Sequence, residues 1–233
     1  MLQKMLEKFT KFDVLWRLIL REIDDLIIGS LGIVSLISFF VGGVVAIQTA
    51  INMENPLLPR YLVGFATRQT MILEFAPTFI SIIMAGKVGS FITSSIGTMR
   101  VTEQIDALKT LNTNYYNYLV TPRVLSLTLA LPIFVTLVDF IGVMGGYLVS
   151  VHRLGFNDNL YLLNTIDFLS LADYLSGIFK AVTFGFIISI VSCYCGLFSD
   201  KGAFGVGSAT TNAVVISSIL ILSSNYFLTE LFF

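Results

Sequence analysis

The sequence has little charge: Asp, Glu, Lys and Arg make up 12% of its 233 residues, against roughly 25% in an average soluble domain. Hydrophobic residues make up 55%. No charged residue at all occurs in the stretches 26–53, 181–199 and 202–229. A helix needs about 20 consecutive apolar residues to cross the hydrocarbon core of a bilayer. The composition therefore excludes an ordinary soluble domain and predicts an all-α integral membrane protein.

Residues that carry catalytic or metal chemistry are also scarce. His152 is the single histidine, so no histidine cluster is available for a metal. Cys193 and Cys195 are two residues apart in an apolar run, where helical geometry points their side chains to different faces and disfavours a disulfide. Gly86 and Lys87 are followed by valine instead of serine or threonine, so the P-loop pattern fails. No cofactor is expected in this chain, and an intramembrane enzyme is disfavoured.

Five apolar stretches predict five transmembrane helices within a permease domain at 26–233. The second stretch, from about Phe65 to Thr93, contains Arg68, Glu74 and Lys87, and the third, from Val124 to Val151, contains only Asp139. Paired glycines at 42 and 43 indicate a close helix crossing or a bend, and Gly142 with Gly146 has the four-residue spacing of close helix packing. The predicted spans are about 26–52, 65–93, 122–150, 174–198 and 209–231.

Residues 1–25 alternate apolar and basic positions at helical spacing. This pattern predicts an amino-terminal amphipathic helix lying in the membrane interface, with a soluble helix packed on a partner as the alternative. Placing the amino terminus in the cytoplasm leaves only Arg60 and Arg153 in outer loops, where Asn55, Pro56 and Pro59 predict a turn. The carboxyl terminus is then on the periplasmic side. The inner positive residues are Lys4, Lys8, Lys11, Arg17, Arg21, Arg100, Lys109, Arg123 and Lys201.

The inner segment between the second and third spans has an amphipathic pattern of its own. Apolar residues recur at helical spacing on one face, and polar residues occupy the others. Such a short helix fits a groove on a cytoplasmic partner, while a helix resting on lipid headgroups is the alternative. Its acidic residues argue against contact with an anionic leaflet. The apolar positions are Val101, Ile105, Leu108 and Leu111, and Arg100 has the spacing to pair with Glu103.

Several short motifs stand out along the chain. Residues 86–90 read Gly-Lys-Val-Gly-Ser, and residues 96–108 read Ile-Gly-Thr-Met-Arg-Val-Thr-Glu-Gln-Ile-Asp-Ala-Leu. Residues 118–124 read Tyr-Leu-Val-Thr-Pro-Arg-Val. Residues 205–215 read Gly-Val-Gly-Ser-Ala-Thr-Thr-Asn-Ala-Val-Val, and Tyr-Phe-Leu-Thr follows at 226–229. Together these motifs resemble the MlaE family, the permeases of bacterial systems that move phospholipids between inner and outer membranes, and the resemblance covers nearly all of the chain after residue 26.

The resemblance implies a transporter subunit in the bacterial inner membrane. Its partners would be a second copy of the chain, with a lipid cavity between the copies, a cytoplasmic ABC ATPase and a periplasmic MCE-domain protein. ATP and Mg would be bound by the ATPase, and no nucleic acid is expected. The inner amphipathic segment would be the coupling helix that faces the ATPase, through Arg100, Thr102, Glu103, Gln104, Asp106 and Leu108.

The family's Glu-Leu-Gly-Pro motif at the second span is here Glu-Phe-Ala-Pro, at 74–77. Family members often carry arginine where this chain has Leu73 and aspartate where it has Asn225, and some carry a second arginine where it has Asn212. These departures remove ionic groups near the implied cavity and bear on which lipid is carried. The predicted lipid-pathway residues are Glu74, Pro77, Gln48 and Asn212.

Two other functions are compatible with the sequence. The first is an ion- or proton-coupled secondary carrier that uses Glu74 and Asp139, because carboxylates within a span are costly and by default suggest function. Pairing of Asp139 with Lys180 or Lys87 is an equally open explanation, and Lys87 has the length to reach the inner interface. The second is a purely structural membrane scaffold.

Overall fold

The computed structural model of the protein describes residues 12–26, 28–53, 62–112, 114–158, 161, 165 and 170–232. Within these ranges there are helices and no strands, and five helices are long and apolar enough to cross a membrane. The prediction of an all-α membrane protein with five spans is confirmed. The helices are α1 Phe12–Leu26, α2 Leu31–Asn52, α3 Leu62–Val101, α4 Gln104–Thr110, α5 Tyr116–His152, α6 Leu171–Leu197 and α7 Ala203–Phe232.

Helix α1 occupies the second half of the predicted amino-terminal segment, whose amphipathic character stays a prediction. Leu15 and Ile19 are buried against the protein, whereas Trp16 and Leu20 are about half exposed. Its location at a membrane surface stays a prediction. Several predicted features lie outside the described residues: the basic residues Lys4, Lys8 and Lys11, and the turn residues Asn55, Pro56 and Pro59 of the first outer loop.

The chain folds into two compact units. One unit comprises the described residues within 1–30, 81–131 and 182–233. Its core is formed where the second half of α3 meets α6 and α7, with Ile92, Ile96 and Ile188 fully buried. The hydroxyl of Thr93 donates to the backbone carbonyl of Ser192 at 3.0 Å, which satisfies a polar group that no water in a bilayer core would satisfy.

The other unit comprises the described residues within 31–80 and 132–181. In it α2 and α5 cross at backbone contact, because a Cβ atom on Gly42 would overlap the carbonyl oxygen of Gly142, and one on Gly145 would overlap the carbonyl oxygen of Phe39. The Ser38 hydroxyl donates to the Val138 carbonyl at 2.7 Å beside this crossing. The glycines at 42 and 142 thus serve a helix crossing within one chain.

Gly42→Ala is expected to destabilise the protein by roughly 2–3 kcal/mol, since a methyl group at this position forces α2 and α5 apart. Thermal unfolding of the detergent-purified protein measures the change. Gly32→Ala in the same helix is the matched control, because a Cβ there meets no atom within 4 Å. An unchanged melting temperature for Gly42→Ala would contradict the close crossing.

Helix α3 is irregular at two places. It widens into π-helical turns at Met71–Phe79 and again at Ala85–Gly89. Pro77 lies inside the first of these segments and has no backbone N–H to donate, which disrupts the regular hydrogen-bond ladder. The helix also continues to Val101, beyond the predicted span 65–93, because Gly97 and Ile96 pack against α6 and α7. The polar run after Thr93 is therefore helical and partly buried.

Candidate functional site

A buried ion pair joins α3 and α6 within their membrane-spanning segments. The ammonium nitrogen of Lys180 lies 2.8 Å from the Oε1 atom of Glu74. The Lys180 side chain is completely buried, whereas 40% of the Glu74 side chain is exposed. An ionised group in a low-dielectric environment is costly unless it is paired and hydrogen-bonded. Glu74 supplies the charge that compensates Lys180, and its side chain stays partly exposed.

The local backbone explains why Lys180 fits at this position. Pro77 has no N–H to donate to the preceding turn of α3, and the Leu73 carbonyl in that turn accepts a hydrogen bond from the Lys180 ammonium at 2.9 Å. One turn earlier on α6, a Cβ on Gly177 would come within 2.8 Å of the Ile72 carbonyl oxygen. Only glycine permits this close approach of the two helices, which brings Lys180 within reach of the opened turn.

Asp139 is paired with neither of the lysines considered from the sequence. Lys180 binds Glu74, and the Lys87 ammonium donates to the Gly29 carbonyl at 2.6 Å. Asp139 on α5 is 7% exposed, and its Oδ1 atom has no hydrogen-bond partner among the described residues. The Glu74–Lys180 pair was missed by the sequence analysis, although the lysine at the edge of the uncharged run 181–199 was a signal for it.

The four predicted lipid-pathway residues lie in both units. Glu74 and Pro77 share the first π-helical segment of α3, where Pro77 is buried. Gln48 is exposed on α2 in the unit that contains Glu74, and Asn212 is exposed on α7 in the other unit. Helix α7 presents Ser208 and Thr211 on the same exposed side as Asn212. Their roles in lipid transport stay predictions.

The predicted coupling segment is divided by a sharp turn. Helix α3 ends at Val101, and Glu103 has a φ of 60°, in the left-handed region, before α4 begins at Gln104. The expectation that Val101 shares an apolar face with Ile105 is therefore wrong, because the helix is interrupted between them, and Val101 is exposed whereas Ile105 is buried. Of the short helix, Ile105 is buried and Leu108 is half-buried, whereas Leu111 beyond its end is 73% exposed.

The charged residues around α4 are held by local contacts. Arg100, in the last turn of α3, donates to the Leu197 carbonyl at the end of α6, and no Arg100–Glu103 ion pair is found in the described part of the chain. Lys109 donates to Asp106 at 2.7 Å, and this hydrogen bond holds the pKa of the Asp106 carboxyl below its ordinary value. Thr102, Glu103, Gln104 and Asp106 are left exposed.

A cleft of about 330 Å³ opens beside α4, between it and the ends of α3 and α6. Arg100, Lys109 and Lys201 supply positive charge to its walls, and Glu103 and Asp106 supply negative charge. Burial raises the pKa of the Tyr115 hydroxyl, which lies in the same wall. The mixed charge and the exposed polar residues suit a protein surface better than an apolar ligand.

The protein family described as "Permease MlaE" matches residues 19–231 of the chain. The chain belongs to the MlaE permease family. A probable ABC transporter permease protein of Rickettsia prowazekii is 47% identical over 216 residues, which are 93% of this chain and 83% of the relative. A probable ABC transporter permease protein of Synechocystis is 42% identical over 171 residues, covering 73% of this chain and 65% of the relative.

A plant relative is less similar to the chain than these two bacterial proteins are. The chloroplastic protein TRIGALACTOSYLDIACYLGLYCEROL 1 of Arabidopsis thaliana is 35% identical over 227 residues, which are 97% of this chain and 64% of the relative. The resemblance to the MlaE family is thereby confirmed over nearly the whole chain. The permease family, together with the five helices of the described residues that are long and apolar enough to span a bilayer, indicates a multi-pass membrane protein.

Proposed function

We propose that this MlaE-family chain is the membrane-spanning subunit of an ATP-driven transporter that moves phospholipid or a related lipid between inner and outer membranes. Relatives in Rickettsia and Synechocystis are named as probable ABC transporter permeases, and the Arabidopsis relative carries the name of a galactolipid. We propose that it lies in the bacterial inner membrane with a cytoplasmic amino terminus and a periplasmic carboxyl terminus.

The observation that carries the proposal is the Glu74–Lys180 pair. An ion pair within a span is retained at a cost, and by default it marks a substrate or ion pathway. The Lys180 side chain is completely buried while 40% of the Glu74 side chain is exposed, so Glu74 is the member of the pair that a polar headgroup can approach. Hydrogen bonding of the headgroup to Glu74, near the turn opened by Pro77, places the lipid against α3.

ATP hydrolysis is assigned to a separate chain that binds ATP and Mg. The exposed side chains of Thr102, Glu103, Gln104 and Asp106 support a docking surface for a cytoplasmic ABC ATPase. Ile105 and the half-buried Leu108 fix α4 to the rest of its unit, so a force on the exposed side reaches the spans. Arg100 lies beside this surface, and its side chain donates a hydrogen bond to the Leu197 carbonyl at the end of α6.

The polar side of α7 supports assembly with a second copy. Ser208, Thr211 and Asn212 are exposed on a helix that is otherwise apolar enough to span a bilayer. Polar side chains facing hydrocarbon are unfavourable, so this side of α7 is assigned to a polar cavity shared by two copies. A periplasmic MCE-domain protein is proposed to receive or deliver lipid on the outer side.

Reconstitution into vesicles with the partner ATPase tests the proposal. Transfer of a fluorescent phospholipid should require ATP and hydrolysis-competent ATPase, and it should be insensitive to a protonophore. An ATPase variant unable to hydrolyse ATP is the control. Transport that persists without ATPase and collapses with a protonophore would instead establish the secondary carrier that uses Glu74 and Asp139.

A further inference from the structure

We infer that α1 takes part in coupling ATP hydrolysis to lipid movement. Glu22 of α1 binds Arg123 near the start of α5, and Arg123 lies at one end of the segment that carries α4. This inference rests on the proposed function. It assigns Arg123 as a positioning residue whose guanidinium joins three separate parts of one compact unit.

The guanidinium of Arg123 has partners on two other helices. Its Nε atom donates to Glu22 Oε1 at 3.3 Å, and its Nη2 atom donates to the Ser95 hydroxyl at 3.0 Å. Only 7% of the Arg123 side chain is exposed, against 23% for Glu22. A nearly buried cation depends on its carboxylate partner. Its Nη1 atom has no hydrogen-bond partner among the described residues, which increases the dependence on Glu22.

The bond between Arg123 and Ser95 closes a loop in the chain. These residues are 28 positions apart, and between them lie the end of α3, all of α4 and the start of α5. The same guanidinium that closes this loop is bound by α1. A shift of Glu22 therefore acts at the base of the loop, whose far end presents Glu103.

Helix α1 is attached firmly enough to transmit such a shift. Leu15, Ile19 and Leu26 are buried on its inner side. The turn that follows is held by the Lys87 ammonium, which donates to the Gly29 carbonyl at 2.6 Å, and by the Ser30 hydroxyl, which donates to the Leu26 carbonyl at 2.8 Å. Lys87 lies in the second π-helical segment of α3. Helix α1 is thus connected to α3 at two places: Glu22 through Arg123 to Ser95, and the turn after α1 through the Gly29 carbonyl to Lys87.

Glu22→Gln, which keeps the shape of the side chain and removes its charge, tests the connection. In vesicles containing the complete transporter, lipid moved per ATP hydrolysed should fall about five- to tenfold, a typical size for a coupling effect. The amount of bound ATPase should be unchanged. Asp25→Asn is the matched control, because Asp25 is an exposed carboxylate on the same helix, 3.9 Å from Arg21, and should leave the ratio at the wild-type value.

Charge exchange distinguishes a specific pair from a general need for an acidic residue. The double variant Glu22→Arg with Arg123→Glu should recover more than half of the lost ratio. If that variant does not fold, Arg123→Lys serves instead: it keeps the charge but lacks the forked donors, and should lower the ratio as Glu22→Gln does. A wild-type ratio in Glu22→Gln or Arg123→Lys would overturn the inference.

Amide hydrogen exchange gives a readout that does not depend on transport. Exchange in residues 102–112 should accelerate severalfold in Glu22→Gln and stay at the wild-type rate in Asp25→Asn. If the wild-type protein moves no lipid with ATP, the proposed function is refuted. Accelerated exchange in Glu22→Gln would then still support the connection between α1 and the segment that carries α4. Unchanged exchange would refute the connection itself.

Discussion

Glu74→Leu is expected to destabilise the folded permease by about 3–5 kcal/mol, because it removes the carboxylate that compensates the fully buried Lys180 ammonium. Lys180→Met should cost less. The methionine fills the buried space of the lysine stem, and 40% of the remaining Glu74 side chain is exposed, which gives it access to polar surroundings. Unfolding of the detergent-purified protein by heat or denaturant measures both variants.

The double variant Glu74→Leu with Lys180→Met should be nearly as stable as the wild-type protein, since an apolar pair of similar volume often replaces a buried ion pair without loss. Additive destabilisation would contradict a direct pair. The same double variant separates structure from function. If the pair only stabilises α3 against α6, lipid transport returns with stability, whereas a headgroup contact at Glu74 leaves the stable double variant inactive.

Glu103→Lys is expected to weaken binding of the ATPase about thirtyfold or more, because reversing a charge at a docking surface brings like charges together. The side chain is exposed at the turn between α3 and α4, so its replacement should not disturb the spans. Affinity purification of the permease, with the bound ATPase quantified, gives the result. Recovery of ATPase at the wild-type yield would remove Glu103 from the docking surface.

Two further variants at Glu103 separate charge from backbone conformation. Its φ of 60° is one that glycine adopts without strain and a β-branched residue adopts poorly. Glu103→Gly relaxes the turn and removes the charge, while Glu103→Gln removes the charge alone. Equal losses of ATPase in the two variants would indicate that the carboxylate matters, and a larger loss in Glu103→Gly would indicate that the rigid turn matters.

The spans were predictable from the sequence because a bilayer imposes a simple requirement on composition. The uncharged run 26–53 had to cover the hydrocarbon core, and α2 at Leu31–Asn52 lies within it. The ends of α3 were less predictable. Polar residues after Thr93 suggested that the span had ended, yet burial of Ile96 and Gly97 against neighbouring helices continues the helix to Val101.

The coupling segment shows the same division. Its polar and apolar residues predicted a short amphipathic helix, and α4 is a short helix whose role in coupling stays a prediction. The periodic pattern gave no sign of the turn at Glu103, because a single residue in the left-handed conformation changes the direction of the chain without changing the spacing of apolar residues. The Arg100 and Glu103 side chains do not form the ion pair that their spacing allowed, and Arg100 donates to the Leu197 carbonyl at the end of α6 instead.

The sequence by itself determined that this protein spans a membrane, that it is helical, that its motifs are those of MlaE permeases and that Glu74 is a notable charge in a span. The tertiary structure decided which side chains form ion pairs with Glu74 and with Glu22. Lys180 and Arg123 are far in sequence from Glu74 and Glu22, by 106 and 101 positions. Such pairings depend on how helices pack side by side, and apolar periodicity records only which residues are apolar.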